Sequence, residues 1–133
     1  MAAKSARRGA SQKKKKYVLQ ERSWILGSAR KPFEARKSSQ GCDLKVYVHG
    51  DQITCGTFTI PPGMRLGRIS AHRADETYYV LEGTLKVELP RLGETVKVKK
   101  GEVFYMPGGM IHAPFNDGKT DCVVLWHCAP DWP

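Results

Sequence analysis

From Asp43 onward the chain offers no sustained helical period. Short runs rich in Val, Ile, Thr, Tyr and Phe alternate with polar residues and are cut at regular spacing by Gly or Pro. That rhythm confines the chain to β-architecture. The stretch "LKVYVHGDQITCGTFTIPPG" reads as two strands around a His-Gly-Asp turn. "TYYVLEGTLKVEL" repeats the hairpin idea around Glu82-Gly83, "TVKVKKGEVFYMP" does so around Lys100-Gly101, and "CVVLWHC" supplies a last apolar strand. Short strands, Gly and Pro at the joints and no convincing helix point to an all-β sandwich or barrel. At 133 residues the chain has room for one such core.

The segment before Asp43 has a different character. Of the 22 Lys and Arg and 13 Asp and Glu, residues 1–40 hold twelve and two, leaving ten against eleven for the remainder. The net charge of +9 is therefore carried by an arm rather than by the fold. Residues 1–16, "MAAKSARRGASQKKKK", lack acids, aromatics and any apolar side chain larger than Ala beyond Met1, too little to offset the entropy of ordering. Disorder is expected there. Such an arm is compatible with a nuclear address, a weak salt-sensitive nucleic-acid contact, an organelle presequence or a solvated tail. Residues 17–40 are expected to pack on the barrel as arm and loop, "GSARKPFEARKSSQG" reading as loop, and residues 41–133 to form the barrel. No apolar run is long enough to span a membrane and no secretory signal is evident, so an intracellular location is expected, cytoplasmic unless the arm directs the chain to the nucleus. Cys42, Cys55, Cys122 and Cys128 form no CxxC pair and read as buried thiols.

The chemistry gathers around His112, which follows the Pro-Gly-Gly of "GEVFYMPGGMIHAPFN". In "GRISAHRADETYYVLEG", Glu76 follows His72 by four residues between strand-like flanks, and a bend at Arg73-Ala74-Asp75 returns the carboxylate to the face of the imidazole. With a second imidazole from a facing strand, this makes a two-histidine, one-carboxylate set suited to a divalent first-row metal. The series Gly101, Pro107, Gly109, His112, Asn116 resembles the second motif of the cupin superfamily without a gap. The first cupin motif is matched at His72, Glu76 and Gly83, and departs at Ser70, where the family usually has its first metal histidine. The resemblance spans roughly residues 53 to 128. It implies a small double-stranded β-helix barrel, the RmlC-like jelly roll, commonly a homodimer. It also implies one divalent transition metal (iron, manganese, nickel or zinc) on His72, Glu76 and His112, with the Ser70 position empty or filled by water.

Strand alternation places Tyr78 and Val80 on the inward face with Glu76, and Arg68 and Ser70 on one face with His72. Tyr78 and Tyr105 are then the candidate acid or base groups, and an inward Arg68 is a candidate clamp for a substrate carboxylate. An Arg68 turned outward by a bulge, and a Tyr105 that only packs at the rim, are the plainer alternatives. His127 is more readily a packed or exposed residue than a fourth ligand. Two functions fit. One is a metal-dependent enzyme (dioxygenase, lyase or isomerase) acting on a small polar or carboxylated molecule. The other is a non-catalytic binding or dimerisation module with a decayed metal site, of the kind that cupin-like domains of centromere proteins resemble.

Overall fold

The computed structural model describes residues 24–130. The basic arm 1–16 and the first part of the 17–40 segment lie outside them. Nine strands are present among the described residues: β1 Glu34–Lys37, β2 Asp43–His49, β3 Thr54–Ile60, β4 Asp75–Glu82, β5 Thr84–Leu89, β6 Glu94–Lys99, β7 Val103–Met106, β8 Ala113–Phe115 and β9 Cys122–Ala129. They form a six-stranded sheet in the order β1-β2-β3-β9-β4-β7 and a three-stranded sheet in the order β6-β5-β8, with antiparallel pairing throughout. No helix is present among the described residues, so none is long and apolar enough to cross a membrane. The all-β expectation holds.

Side-chain alternation builds the core. Phe58 and Ile60 of β3, Tyr78 and Val80 of β4, and Val124 and Trp126 of β9 point inward from the large sheet to meet Leu85, Val87, Leu89 and Val98 of the small one. Each fully buried aliphatic of this set contributes about 1.5–3 kcal/mol. Large and small residues are matched across strands. Gly56 of β3 lies opposite both Val46 of β2 and Trp126 of β9, and a Cβ built there falls 1.8 Å from the Lys45 carbonyl oxygen and 2.8 Å from the indole. Only glycine lets β2 approach so closely beside its bulge between Val46 and Val48.

Two of the three expected hairpins are corrected. β2 and β3 pair as expected. The strands on either side of Glu82-Gly83 belong to different sheets, as do those on either side of Lys100-Gly101. These glycine turns are corners at which the chain crosses the sandwich. They interlock: Val80 N–H donates to the Glu102 carbonyl, and Gly101 N–H donates back to Val80. Gly83 has φ +74°, and a Cβ there would sit 2.4 Å from the Asp121 carbonyl oxygen. The hairpin of the small sheet is instead β5–β6, turning through Pro90-Arg91-Leu92-Gly93. A second correction concerns the segment 27–41, read as loop: it contains β1, which pairs Glu34 with Val46 through Lys37 with Asp43.

Asn116 explains why its motif ends on an asparagine. It is buried, its Nδ2 donates to the carbonyls of Ile60 and Thr120, and its Oδ1 accepts the Gly118 N–H. One side chain thus ties β3 to the loop after β8. Asn116→Ala leaves these groups without their partner and is expected to cost about 2–4 kcal/mol, read as a lower urea midpoint with an unchanged slope.

Candidate metal centre

His72 and His112 are delivered by two segments zipped together in the backbone. Ser70 N–H donates to the His112 carbonyl, His112 N–H returns the bond to Ser70, and Gly109 N–H donates to the His72 carbonyl at 2.6 Å. The Pro-Gly-Gly turn makes this approach sterically feasible. Gly109 has φ +86°, and a Cβ at Gly108 would lie 2.1 Å from the Arg73 carbonyl oxygen. Asp75 pins the same turn from outside, its Oδ1 accepting Gly108 N–H and its Oδ2 accepting the Tyr105 hydroxyl.

The two imidazoles meet Glu76, the first inward residue of β4. His112 Nε2 lies 3.4 Å and His72 Nε2 3.7 Å from the same oxygen, Glu76 Oε1, and the three donor atoms all lie within 4.8 Å of one another. Glu76 Oε1 is buried and receives no hydrogen bond, while Oε2 accepts the Cys128 thiol at 3.4 Å. His112 Nδ1 is 2.8 Å from the Met110 carbonyl and donates to it, which leaves the Nε2 lone pair aimed at the cluster. Burial lowers the His72 pKa against the pull of Glu76, and His112 adds repulsion. At His112 the burial penalty is outweighed by Glu76 and the Met110 carbonyl, and the pKa is raised. A proton on His112 balances Glu76 only in part; a divalent cation would satisfy all three groups at once. A buried carboxylate oxygen facing two imidazole nitrogens at 3.4 and 3.7 Å fits a borderline N/O-binding metal.

The cluster opens into a cavity of about 430 Å³, whose wall includes Phe58, Arg68, Ser70, Tyr78 and Trp126. Tyr78 is buried, with its ring edge-on to Phe58 at 5.3 Å and to His112 at 6.1 Å. Burial, then the charge of Glu76, pushes its phenol well above the ordinary tyrosine range. Ser70 stands beside the cluster, half-buried, where its backbone bridges His112.

A cupin-domain family model matches residues 56–128, more than half of the chain. The chain belongs to the cupin family. Among solved structures, this cupin is similar to KdgF from Halomonas sp. (TM-score 0.70, 20% identity, covering 83% of this chain and 96% of that one). It is likewise similar to the polyketide cyclase RemF from Streptomyces resistomycificus (TM-score 0.68, 20% identity, 80% of each chain). These likenesses establish the cupin jelly roll as the fold. Germin-like protein subfamily 2 member 2 of Arabidopsis thaliana is 43% identical over 56 residues, 40% of this chain and 26% of that protein. The cupin spans about a quarter of the length of that curated relative.

Of the residues singled out in the sequence, His72, Glu76, Tyr78 and Arg68 line one cavity, and His112 joins His72 and Glu76 beside it. Arg68 sits in an irregular segment before β4 and is exposed, so strand counting does not apply to it. Tyr105 is a correction. The register pairs Glu76 with Met106 and Thr77 with Tyr105, so Met106 is buried while Tyr105 lies on the outer face. Its hydroxyl serves Asp75, and Tyr105→Phe is expected to leave metal content unchanged and to shift the unfolding midpoint only slightly. His127 also faces away from Glu76, with Nδ1 at 3.5 Å from Thr77 Oγ1. Sequence reading missed Cys128, Trp126 and the β1 residues Arg36 and Lys37, which also line the cavity except for Cys128. Counting by twos from Cys122 along β9 would have placed Trp126 and Cys128 inward.

Proposed function

We propose that this cupin is a metal-dependent enzyme of the dioxygenase, lyase or isomerase type, acting on a small polar or carboxylated molecule. The observation that carries the reading is the orphaned, buried Glu76 Oε1 facing His72 and His112, with Glu76 and His72 on the wall of a cavity large enough for a small substrate. His72, Glu76 and His112 would hold the metal, whose contribution when bound is Lewis-acid polarisation of substrate oxygen atoms. Cys128 steadies the outer oxygen of Glu76 and the Met110 carbonyl orients His112. Tyr78, strongly protonated in its buried setting, donates a hydrogen bond to a substrate oxygen and holds its proton until negative charge develops there. Phe58 and Trp126 exclude water along the apolar wall, and Arg68 at the opening binds a carboxylate.

The test is elemental mass spectrometry on untagged protein purified without chelators, followed by a substrate screen on metal-loaded protein. A folded protein without metal would redirect attention to the non-catalytic module. Ser70 in place of a histidine favours that second reading, since it leaves three protein ligands where four are usual in the resemblance. Dimerisation and a nucleic-acid contact by the arm belong to it as well.

A further inference from the structure

The cavity grades from floor to mouth in burial and in charge. Glu76 and Tyr78 are buried at the floor, Arg36 and Ser38 are half-buried, and Lys37, Ser39 and Arg68 are exposed around the opening. Three cationic side chains line the entrance, and among the described residues Glu76 at the floor is the only carboxylate in the wall. Two of the three are already paired: Arg36 lies 3.8 Å from Glu34, and Lys37 pairs with Asp43. Arg68 is exposed and makes no ion pair among the described residues. The cations come from two places, β1 and the irregular segment before β4, which touch where a Cβ at Gly67 would lie 2.7 Å from Ser39 Oγ.

We infer that the mouth is an anion subsite, built by Arg68 and the Ser38-Ser39 hydroxyls beside the already paired Arg36 and Lys37, and that the cavity selects a two-ended substrate. One end presents oxygen atoms to the floor and the other carries a carboxylate held at the mouth. A planar carboxylate suits the guanidinium fork, and the serine hydroxyls supply donors that a charged group uses better than a neutral one. A cavity of about 430 Å³ accommodates a short dicarboxylate with both ends engaged. An uncharged molecule of the same length leaves Arg68 without a counter-ion. The inference rests on reading this cavity as the substrate site, and its test separates the two.

The experiment is isothermal titration calorimetry of the full chain with α,ω-dicarboxylates from malonate to adipate, each beside its own uncharged diamide, with metal content measured on the same samples. At least one dicarboxylate is expected to bind about ten-fold or more tightly than its diamide. In Arg68→Gln that ratio is expected to fall by about five-fold or more, while binding of the uncharged diamide changes by less than about two-fold. Raised salt should narrow the ratio in the parent, because the mouth is exposed. No preference anywhere in the series, no binding of any member, or a preference undiminished in Arg68→Gln, overturns the subsite. A charge preference in protein that carries no metal upholds the subsite and removes only the metal reading. Metal-loaded protein with no charge preference removes only the subsite.

Discussion

Protein purified without chelators is expected to carry close to one equivalent of a divalent transition metal, and His112→Ala to carry almost none. The proposed site would have three protein ligands, so the loss of one would leave a single imidazole and a carboxylate. Loss of an outer partner alone typically costs 10- to 100-fold in affinity, and loss of a ligand should exceed about 100-fold. Any activity should fall with the metal. His112 is buried and its Nδ1–H serves Met110, so truncation also leaves a small void and an unpaired carbonyl. His112→Gln fills much of that void, and its circular dichroism separates loss of the ligand from loss of the fold. Proton competition acts in the same direction. The pKa of His112 is raised, so protonation removes its Nε2 lone pair at a higher pH than for an ordinary histidine, and metal affinity should decline as the pH falls through that range. Retention of stoichiometric metal in both variants would place the metal elsewhere in the chain.

Gly56→Ala is expected to give little or no soluble folded protein. The added methyl would lie 1.8 Å from the Lys45 carbonyl oxygen, against backbone rather than the yielding end of a flexible side chain. Relief requires β2 to move away from β3, and the Trp126 indole to shift from its position on the cavity wall as well. Overpacking of this kind costs about 3 kcal/mol or more, a large fraction of the roughly 5–15 kcal/mol that holds a domain of this size together. Expression with and without Trp126→Leu checks the cause. If the smaller partner restores folding, the indole is the obstacle; if it does not, the Lys45 carbonyl is. Normal yield and an unchanged melting temperature in Gly56→Ala alone would contradict the close approach itself.

The sequence reveals most where one local rule decides. Five residues at fixed spacing from Gly101 to Asn116 mark a turn and its anchors, and strand alternation correctly carries Glu76 to Tyr78 and Val80. It misleads where the answer depends on a distant partner. A glycine turn at Glu82-Gly83 has the same local chemistry whether the chain doubles back or crosses to the other sheet, and only the pairing of β4 with β9 and β7 decides. The charged "EARK" of β1 carries almost no apolar signal, because an edge strand gains its hydrogen bonds from β2 and buries little. Tyr105 illustrates a third limit. It stands two residues from Pro107 in sequence, but the register with β4 assigns it to the outer face, and that register is set by a strand nearly thirty residues earlier. The segment bearing Arg68 has no regular period, so its exposure was not legible by counting.

The position of β9 has a consequence for the chain as it is made. This strand lies between β3 and β4 in the middle of the large sheet, although it is the last of the described strands to leave the ribosome. Until it arrives, β3 and β4 each present an open edge of backbone donors and acceptors, and the Cys128 thiol that steadies Glu76 is missing. Exposed edges recruit other chains, so the partly synthesised protein passes through its most aggregation-prone moment just before the sheet closes. Insertion of one central strand then ends that exposure and finishes the support of the carboxylate in the same event. Slower elongation through residues 122–129 would lengthen the vulnerable interval without altering anything in the finished fold.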